Sequence, residues 1–91
     1  MTVPRVSCFY GIEIKMFFNE DIHPGRPHFH AEYAETDASF EISTLNKLAG
    51  WLPPRIERLI KIWARAHEDE LMQNWKRAKK HEQLEPIDPL P

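Results

Sequence analysis

The sequence contains little cysteine and no long apolar stretch. Its single cysteine, Cys8, excludes an internal disulfide, and this composition is typical of proteins that work in a reducing cytoplasm. No apolar run approaches the ~20 residues that a membrane-spanning helix requires. The amino terminus also lacks the basic region and long apolar region of a signal peptide. We therefore expect a cytoplasmic protein that contacts no membrane.

A strong charge of one sign is lacking as well. The formal net charge is −2, and the first half of the chain is acidic while the second half is nearly balanced. Proteins that bind nucleic acids usually carry a concentrated basic surface, and this chain offers only a local one. Its 91 residues, 42% hydrophobic and 29% charged, predict a single globular domain with one modest core.

The amino-terminal part alternates between apolar and polar residues, as half-buried strands do. In "CFYGIEIKMFFN" the even positions from Tyr10 to Phe18 are apolar, which predicts one long strand. The turn "EDIHPGRP" separates it from "HFHAEYA", whose odd positions are apolar. The segments "ASFEIS" and "KLAGW" predict two further strands, which places the sheet at about residues 8–52.

The carboxy-terminal part has a helical pattern. Apolar residues recur every three or four positions from Pro54 to Lys79, which predicts one long helix over about residues 54–79, with a bend near His67 as an option. The acidic residues at 68–70 are also compatible with a second helix that begins at residue 68, and this alternative is left open. The tail, about residues 82–91, contains three prolines and should be extended or frayed. We predict an α+β fold: a four-stranded antiparallel sheet with one long carboxy-terminal helix packed on one face.

The pairing of the first two predicted strands decides where two histidines point. A register that matches the apolar faces sets Lys15 opposite Glu32 and Phe17 opposite His30. The alternative register sets Glu13 opposite Glu32, a like-charge pair, and is therefore disfavoured. Since the helix must cover the apolar face, we expect the other face to be uncovered. That open face would carry four polar side chains: Lys15, His28, His30 and Glu32.

Three hypotheses explain the His-x-His pair. His28 and His30 could act as general acid and base in metal-independent RNA cleavage, with Lys15 and Arg55 as charge stabilisers. They could hold a divalent metal with His23 or Glu32 as a third ligand, although no metal or other cofactor is favoured. They could instead belong to a protein interface. The candidate binding residues for such an interface or substrate are His23, Glu32, Arg55 and Phe17.

Two further groups of residues have competing interpretations. One side of the predicted helix is basic. We call this side the basic flank; it consists of Arg55, Arg58, Lys61 and Arg65. It is either a solvated face paired with neighbouring acids or a contact for phosphate or an acidic partner. The three tryptophans, by contrast, are predicted to pack in the core and at the hinge rather than to form a ligand cage. His67, at the centre of the helical stripe, is predicted to be a hydrogen-bonded core histidine.

Several segments together resemble a known family. These are "FYGIEIKMFF", "HPGRPHFHAEY", "LPPR" and the closing "IDPL", of which the PHFHAEY segment is the clearest. They look like the small bacterial proteins grouped as domain of unknown function 4160 (DUF4160). The resemblance implies a bacterial protein that pairs with a small partner protein encoded nearby, in a toxin–antitoxin-like module. We predict that the protein is one subunit of such a module and acts through the open, histidine-bearing face of its sheet. The resemblance supplies no chemistry, so RNA as a partner, and a homo-oligomer, remain alternatives.

Overall fold

The computed structural model describes residues 5–17 and 26–91, which form a five-stranded antiparallel sheet and two helices. The strands lie in the sheet in the order of the chain. They are β1 (Arg5–Phe9), β2 (Ile12–Lys15), β3 (His28–Tyr33), β4 (Thr36–Glu41) and β5 (Lys47–Trp51). The helices are α1 (Pro54–Ala66) and α2 (Glu68–Lys79). The α+β class is confirmed, whereas the prediction of four strands and one long helix is wrong in detail.

The amino-terminal alternation is a hairpin and not a single strand. Tyr10 and Gly11, between β1 and β2, have φ angles of 51° and 79°. Two successive residues with positive φ form a tight turn whose twist suits an antiparallel hairpin. Tyr10, which the alternation placed in the core, is therefore exposed at the turn. The predicted strand also included Phe18, which lies outside the described residues.

The predicted register between β2 and β3 is wrong. Glu13 lies opposite Glu32, and Lys15 lies opposite His30. Two cations compensate the like-charge pair: Lys15 Nζ is 2.9 Å from Glu32 Oε1, and Arg5 NH1 is 3.4 Å from Glu13 Oε1. Arg5 belongs to β1, the strand that the sequence pattern missed. The repulsion that disfavoured this register is therefore offset by a residue outside the predicted pair.

The helical segment is interrupted at His67. Pro54 occupies the first turn of α1, where its missing N–H needs no intrahelical partner. His67 has φ −122° and ψ 27°, which are not helical values, and α2 begins immediately afterwards with Glu68, Asp69 and Glu70. Carboxylates stabilise the amino-terminal turn of a helix, so the acidic cluster that left a second helix open does mark its start. Neither described helix is long and apolar enough to cross a membrane.

The core lies between α1 and the face of the sheet that α1 covers. Trp63 is fully buried, with its ring 6.2 Å from that of Phe29 and 5.3 Å from that of Phe9. Tyr33, also predicted to face inward, is only half-buried. The other residues predicted to face inward on β2, β3 and β4 and directly after them are buried, which confirms the choice of face. They are Ile12, Ile14, Met16, Phe29, Ala31, Phe40 and Ile42.

The proline-rich tail is extended and anchored to the domain. The N–H of Ile87 donates to Val6 O in β1 at 2.8 Å, and the Ile87 side chain is buried. Trp63 Nε1 donates to Asp88 O at 2.7 Å. Asn74 in α2 holds the Glu85 backbone on both sides, because its Nδ2 donates to Glu85 O and its Oδ1 accepts from Glu85 N. The tail therefore packs in extended form beside β1.

Candidate functional site

His28 begins β3, but its ring does not lie on an open face. Only 1% of the residue is exposed, and its ring centroid is 5.1 Å from that of Trp75 in α2. Its Nδ1 lies 2.8 Å from Arg26 O. Since a carbonyl can only accept, Nδ1 carries a proton and donates it there. The prediction that His28 faces solvent on the uncovered side is wrong, because Trp75 on the separate helix α2 packs against it.

His30 is half-buried, and its ring lies beside the ring of His28. Its ring centroid is 5.2 Å from that of His28 and 4.9 Å from that of Phe17, both in edge-to-face geometry. Ser39 of β4 lies opposite His30 and is itself buried. The structure thus brings together the three aromatic side chains of the predicted site, His28, His30 and Phe17, as a packed cluster at the start of β3. The acid and base roles of the two histidines stay predictions.

Lys15 and Arg55, which were predicted to stabilise charge during RNA cleavage, do not lie beside an accessible pair of histidines. Lys15 donates to Glu32 at 2.9 Å, and its side chain is only 13% exposed. Its charge is therefore balanced locally, and it is poorly placed to stabilise a developing phosphorane. Arg55 is exposed in the first turn of α1. His23 lies outside the described residues.

General acid–base catalysis requires each group to come within hydrogen-bond reach of the substrate. One of the two imidazoles is buried, so the cluster as it stands presents a single accessible ring. Within residues 5–17 and 26–91, no three His, Cys, Asp or Glu side chains form a metal-binding group. Because His23, the predicted third ligand, is not among these residues, the metal site stays a prediction.

A concave surface lies elsewhere, between β5 and α1. We call it the β5–α1 groove; its volume is about 750 Å³. Two large apolar side chains line it and are unusually exposed, Trp51 at 56% and Ile62 at 54%. The remaining lining residues are Lys47, Leu52, Pro54, Glu57, Arg58, Lys61, Arg65 and Ala66. The groove thus combines apolar surface with four cations and one carboxylate.

The carboxylate of Glu57 neutralises part of the groove's positive charge. Lys61 Nζ lies 3.2 Å from Glu57 Oε2, and Lys47 Nζ lies 3.5 Å from Glu57 Oε1. Partial burial raises the pKa of Glu57, but the hydrogen bonds and charges of Lys61 and Lys47 outweigh this effect, so the pKa lies below its ordinary value. Glu57 is therefore ionised at neutral pH and paired with both lysines.

The two arginines of the groove remain available. Arg58 and Arg65 are exposed, and no carboxylate in the described part of the chain pairs with either of them. They lie seven residues apart on α1, with Ile62 between them on the same side of the helix. An incoming anion would therefore meet two guanidinium groups on either side of an exposed apolar residue.

Sequence reasoning found half of this groove. It identified the basic flank of the helix but grouped Trp51 with the tryptophans that pack in the core and at the hinge, and Trp51 is instead more than half exposed. Ile62 was not singled out, although it lies off the apolar stripe of Ile56, Ile60 and Trp63 and among charged residues. An apolar residue on the charged side of an amphipathic helix was the signal that could have located the groove.

The family model for a domain of unknown function, DUF4160, matches residues 11–76, well over half of the chain. The chain belongs to the DUF4160 family. No curated protein and no solved structure matches it. The DUF4160 match begins at the turn before β2 and ends within α2, so it includes the histidine pair and the whole β5–α1 groove.

Proposed function

We propose that this DUF4160 protein is a non-catalytic subunit of a bacterial, cytoplasmic two-protein module of the toxin–antitoxin type. Its partner is a small protein encoded beside it, and the partner binds in the β5–α1 groove. The observation that carries this proposal is the shared location of Trp51 and Ile62. Two large apolar side chains, each more than half exposed, line one concave surface with two arginines that pair with no carboxylate among the described residues.

The composition of the groove supports a protein partner. Tryptophan and arginine are the residue types most enriched among those that dominate binding energies at protein interfaces. Exposed apolar surface in a concave setting, rimmed by charge, is typical of interaction sites. Both features meet in this groove, and neither Trp51 nor Ile62 belongs to the buried core cluster.

The accessible chemistry of the histidine cluster favours binding over RNA cleavage. A nuclease of the proposed kind needs two imidazoles at the substrate and a free cation nearby. His28 is buried against Trp75, and Lys15 is paired with Glu32. These contacts suit a packed structural cluster that supports β3, so we assign the histidines no catalytic step.

Co-expression with the neighbouring small protein tests the proposal. We expect a complex, and we expect Trp51→Ala to weaken it by about tenfold or more, because removing a central tryptophan typically costs at least ~2 kcal/mol at an interface. Binding is measured by calorimetry on the purified proteins. Tyr10→Ala is the matched control, since Tyr10 is equally exposed but lies at the β1–β2 turn, outside the groove.

Two results would contradict the proposal. One is that no complex forms. The other is that Trp51→Ala and Tyr10→Ala weaken the complex equally, which would place the interface elsewhere. Growth of cells that express the chain alone addresses catalysis separately: growth arrest that His30→Ala abolishes would favour the nuclease, whereas we expect His30→Ala to change neither growth nor partner binding.

A further inference from the structure

The two edges of the sheet differ in what covers them. At one edge, the carboxy-terminal tail lies beside β1 and donates a backbone hydrogen bond to it. At the other edge, β5 has only β4 as a neighbour, and no backbone hydrogen bond from another described segment reaches residues 47–51. Four of the five β5 residues are exposed. An edge strand of this kind presents alternate N–H and C=O groups that can pair with another chain.

The bare edge coincides with the β5–α1 groove. Lys47 and Trp51, at the two ends of β5, line one wall, and Arg58, Ile62 and Arg65 of α1 line the other. A strand added beside β5 would run along this groove with the helix at its side. An edge strand next to a helix is the arrangement in which several domain families bind peptides by strand addition. In these complexes the backbone hydrogen bonds provide affinity and the side-chain pockets provide specificity.

The charges of the groove select the kind of segment. Lys47 and Lys61 are paired with Glu57, whereas Arg58 and Arg65 have no carboxylate partner among the described residues. Seven residues on a helix span about 10 Å, so the two arginines are far enough apart to bind two separate carboxylates. Guanidinium groups pair with carboxylates through two parallel hydrogen bonds. Because alternate residues of an added strand point to the same face, the methylene groups of its acidic side chains would pack against the exposed side chains of Trp51 and Ile62.

We propose that the partner contributes an extended segment of alternating acidic and apolar residues, which pairs with β5 as a sixth strand and places its carboxylates on Arg58 and Arg65. This inference rests on the proposed function and specifies how the groove is occupied. Single-stranded RNA, which a tryptophan beside arginines could also bind, is the competing occupant that the test must separate.

The test uses a blocked eight-residue peptide of alternating glutamate and valine, with fluorescence anisotropy as the readout. We expect it to bind, and we expect its counterpart of lysine and valine to bind about tenfold more weakly or not at all, because its charges oppose the arginines. Arg58→Glu with Arg65→Glu should weaken the acidic peptide by a similar factor. Lys76→Glu with Lys80→Glu, an equal change of charge on the exposed end of α2, should leave binding within about threefold.

N-methylation of the peptide backbone tests the strand pairing itself. Only alternate N–H groups of an added strand face β5. Methylation of one alternating set should abolish binding, and methylation of the other set should leave it intact. Equal effects of the two sets would overturn strand addition, and so would failure of the acidic peptide to bind.

Two outcomes separate this inference from the proposed function. A partner complex that Trp51→Ala weakens, together with no peptide binding, would refute the sixth strand and leave the partner-binding role in place. A twelve-residue oligouridylate that binds where the peptide does not, and is lost with Arg58→Glu and Arg65→Glu, would identify the groove as an RNA site and overturn both proposals.

Discussion

At the scale of single residues, burial separates the two histidines that look alike in sequence. His28 is packed against Trp75 and hydrogen-bonded to the Arg26 carbonyl, whereas His30 is only half-buried. Strand alternation puts two such residues on the same side of a strand, but it does not say what covers that side. The position of α2 decides this, and α2 comes 40 residues later in the chain.

Substitution of the two histidines should therefore have unequal effects on stability. His28→Ala removes a buried ring and leaves the Arg26 carbonyl without its donor, which should lower the free energy of unfolding by about 2–4 kcal/mol. His30→Ala should cost about 1 kcal/mol, since less of its side chain is withdrawn from water. Urea unfolding measures both changes. Equal losses, or a larger loss for His30→Ala, would contradict the assigned packing.

Gly50 provides a second residue-scale prediction, with Gly11 as its control. Both have positive φ, 85° and 79°. A Cβ on Gly50 would lie 2.3 Å from Asp37 O, whereas the nearest atom to a Cβ on Gly11 is Tyr33 Cε1 at 3.6 Å. Gly11→Ala should cost about 1 kcal/mol of backbone strain, and Gly50→Ala should cost at least about 1 kcal/mol more because β5 must move away from β4. Denaturant unfolding that gives equal costs would show that β5 does not approach β4 this closely.

At the scale of elements, the tail depends on α2. The Asn74 side chain is fully buried, and besides holding Glu85 it accepts from Arg77 NH1 at 2.9 Å. Asn74→Ala should release the tail and lower the free energy of unfolding by about 2–3 kcal/mol, because three part-buried hydrogen bonds are lost at once. Amide hydrogen exchange should show faster exchange at Ile87. Unchanged exchange there would mean that Trp63 and β1 hold the tail without Asn74.

At the junction of β5 and α1, Glu57 makes the stability of the fold depend on pH. Because the pKa of Glu57 is lowered in the folded chain, its ion pairs stabilise the fold above the ordinary pKa of 4.5, and this contribution disappears as the pH falls through the folded-state value. The stability difference between the wild type and Glu57→Gln should be positive at pH 7 and should shrink under acid conditions. Thermal unfolding of both proteins, from pH 7 down to acid conditions, measures this stability difference. In a background of Lys47→Ala with Lys61→Ala the difference should vanish, and its persistence would exclude the lysines as its cause.

Local periodicity accounts for the elements that could be predicted from the sequence. The inward residues of β2 to β4, the strand "KLAGW" and the start of α1 at Pro54 each follow from a pattern within one segment. The turn at Tyr10 escaped prediction because a tyrosine with positive φ continues the apolar alternation. The β2–β3 register was wrong because its compensating cation, Arg5, lies on β1, outside the two strands compared.

At the scale of the whole molecule, the site depends on how distant elements meet. The basic flank of α1 was visible in the sequence, but the groove exists only because β5 brings Trp51 beside that flank. In the same way, the predicted histidine site does not lie on an exposed face, because Trp75 of α2 covers His28. The sequence thus identified chemically suitable residues, and their accessibility was decided by contacts between elements that no single segment encodes.

Amide hydrogen exchange of this protein, free and bound to its neighbouring partner, tests the central claim most directly. Binding in the β5–α1 groove predicts slower exchange over Lys47–Trp51 and along the exposed side of α1, with little change over His28–Tyr33. Protection confined to His28–Tyr33, with β5 and α1 unchanged, would contradict the account and return the interface to the histidine-bearing strand.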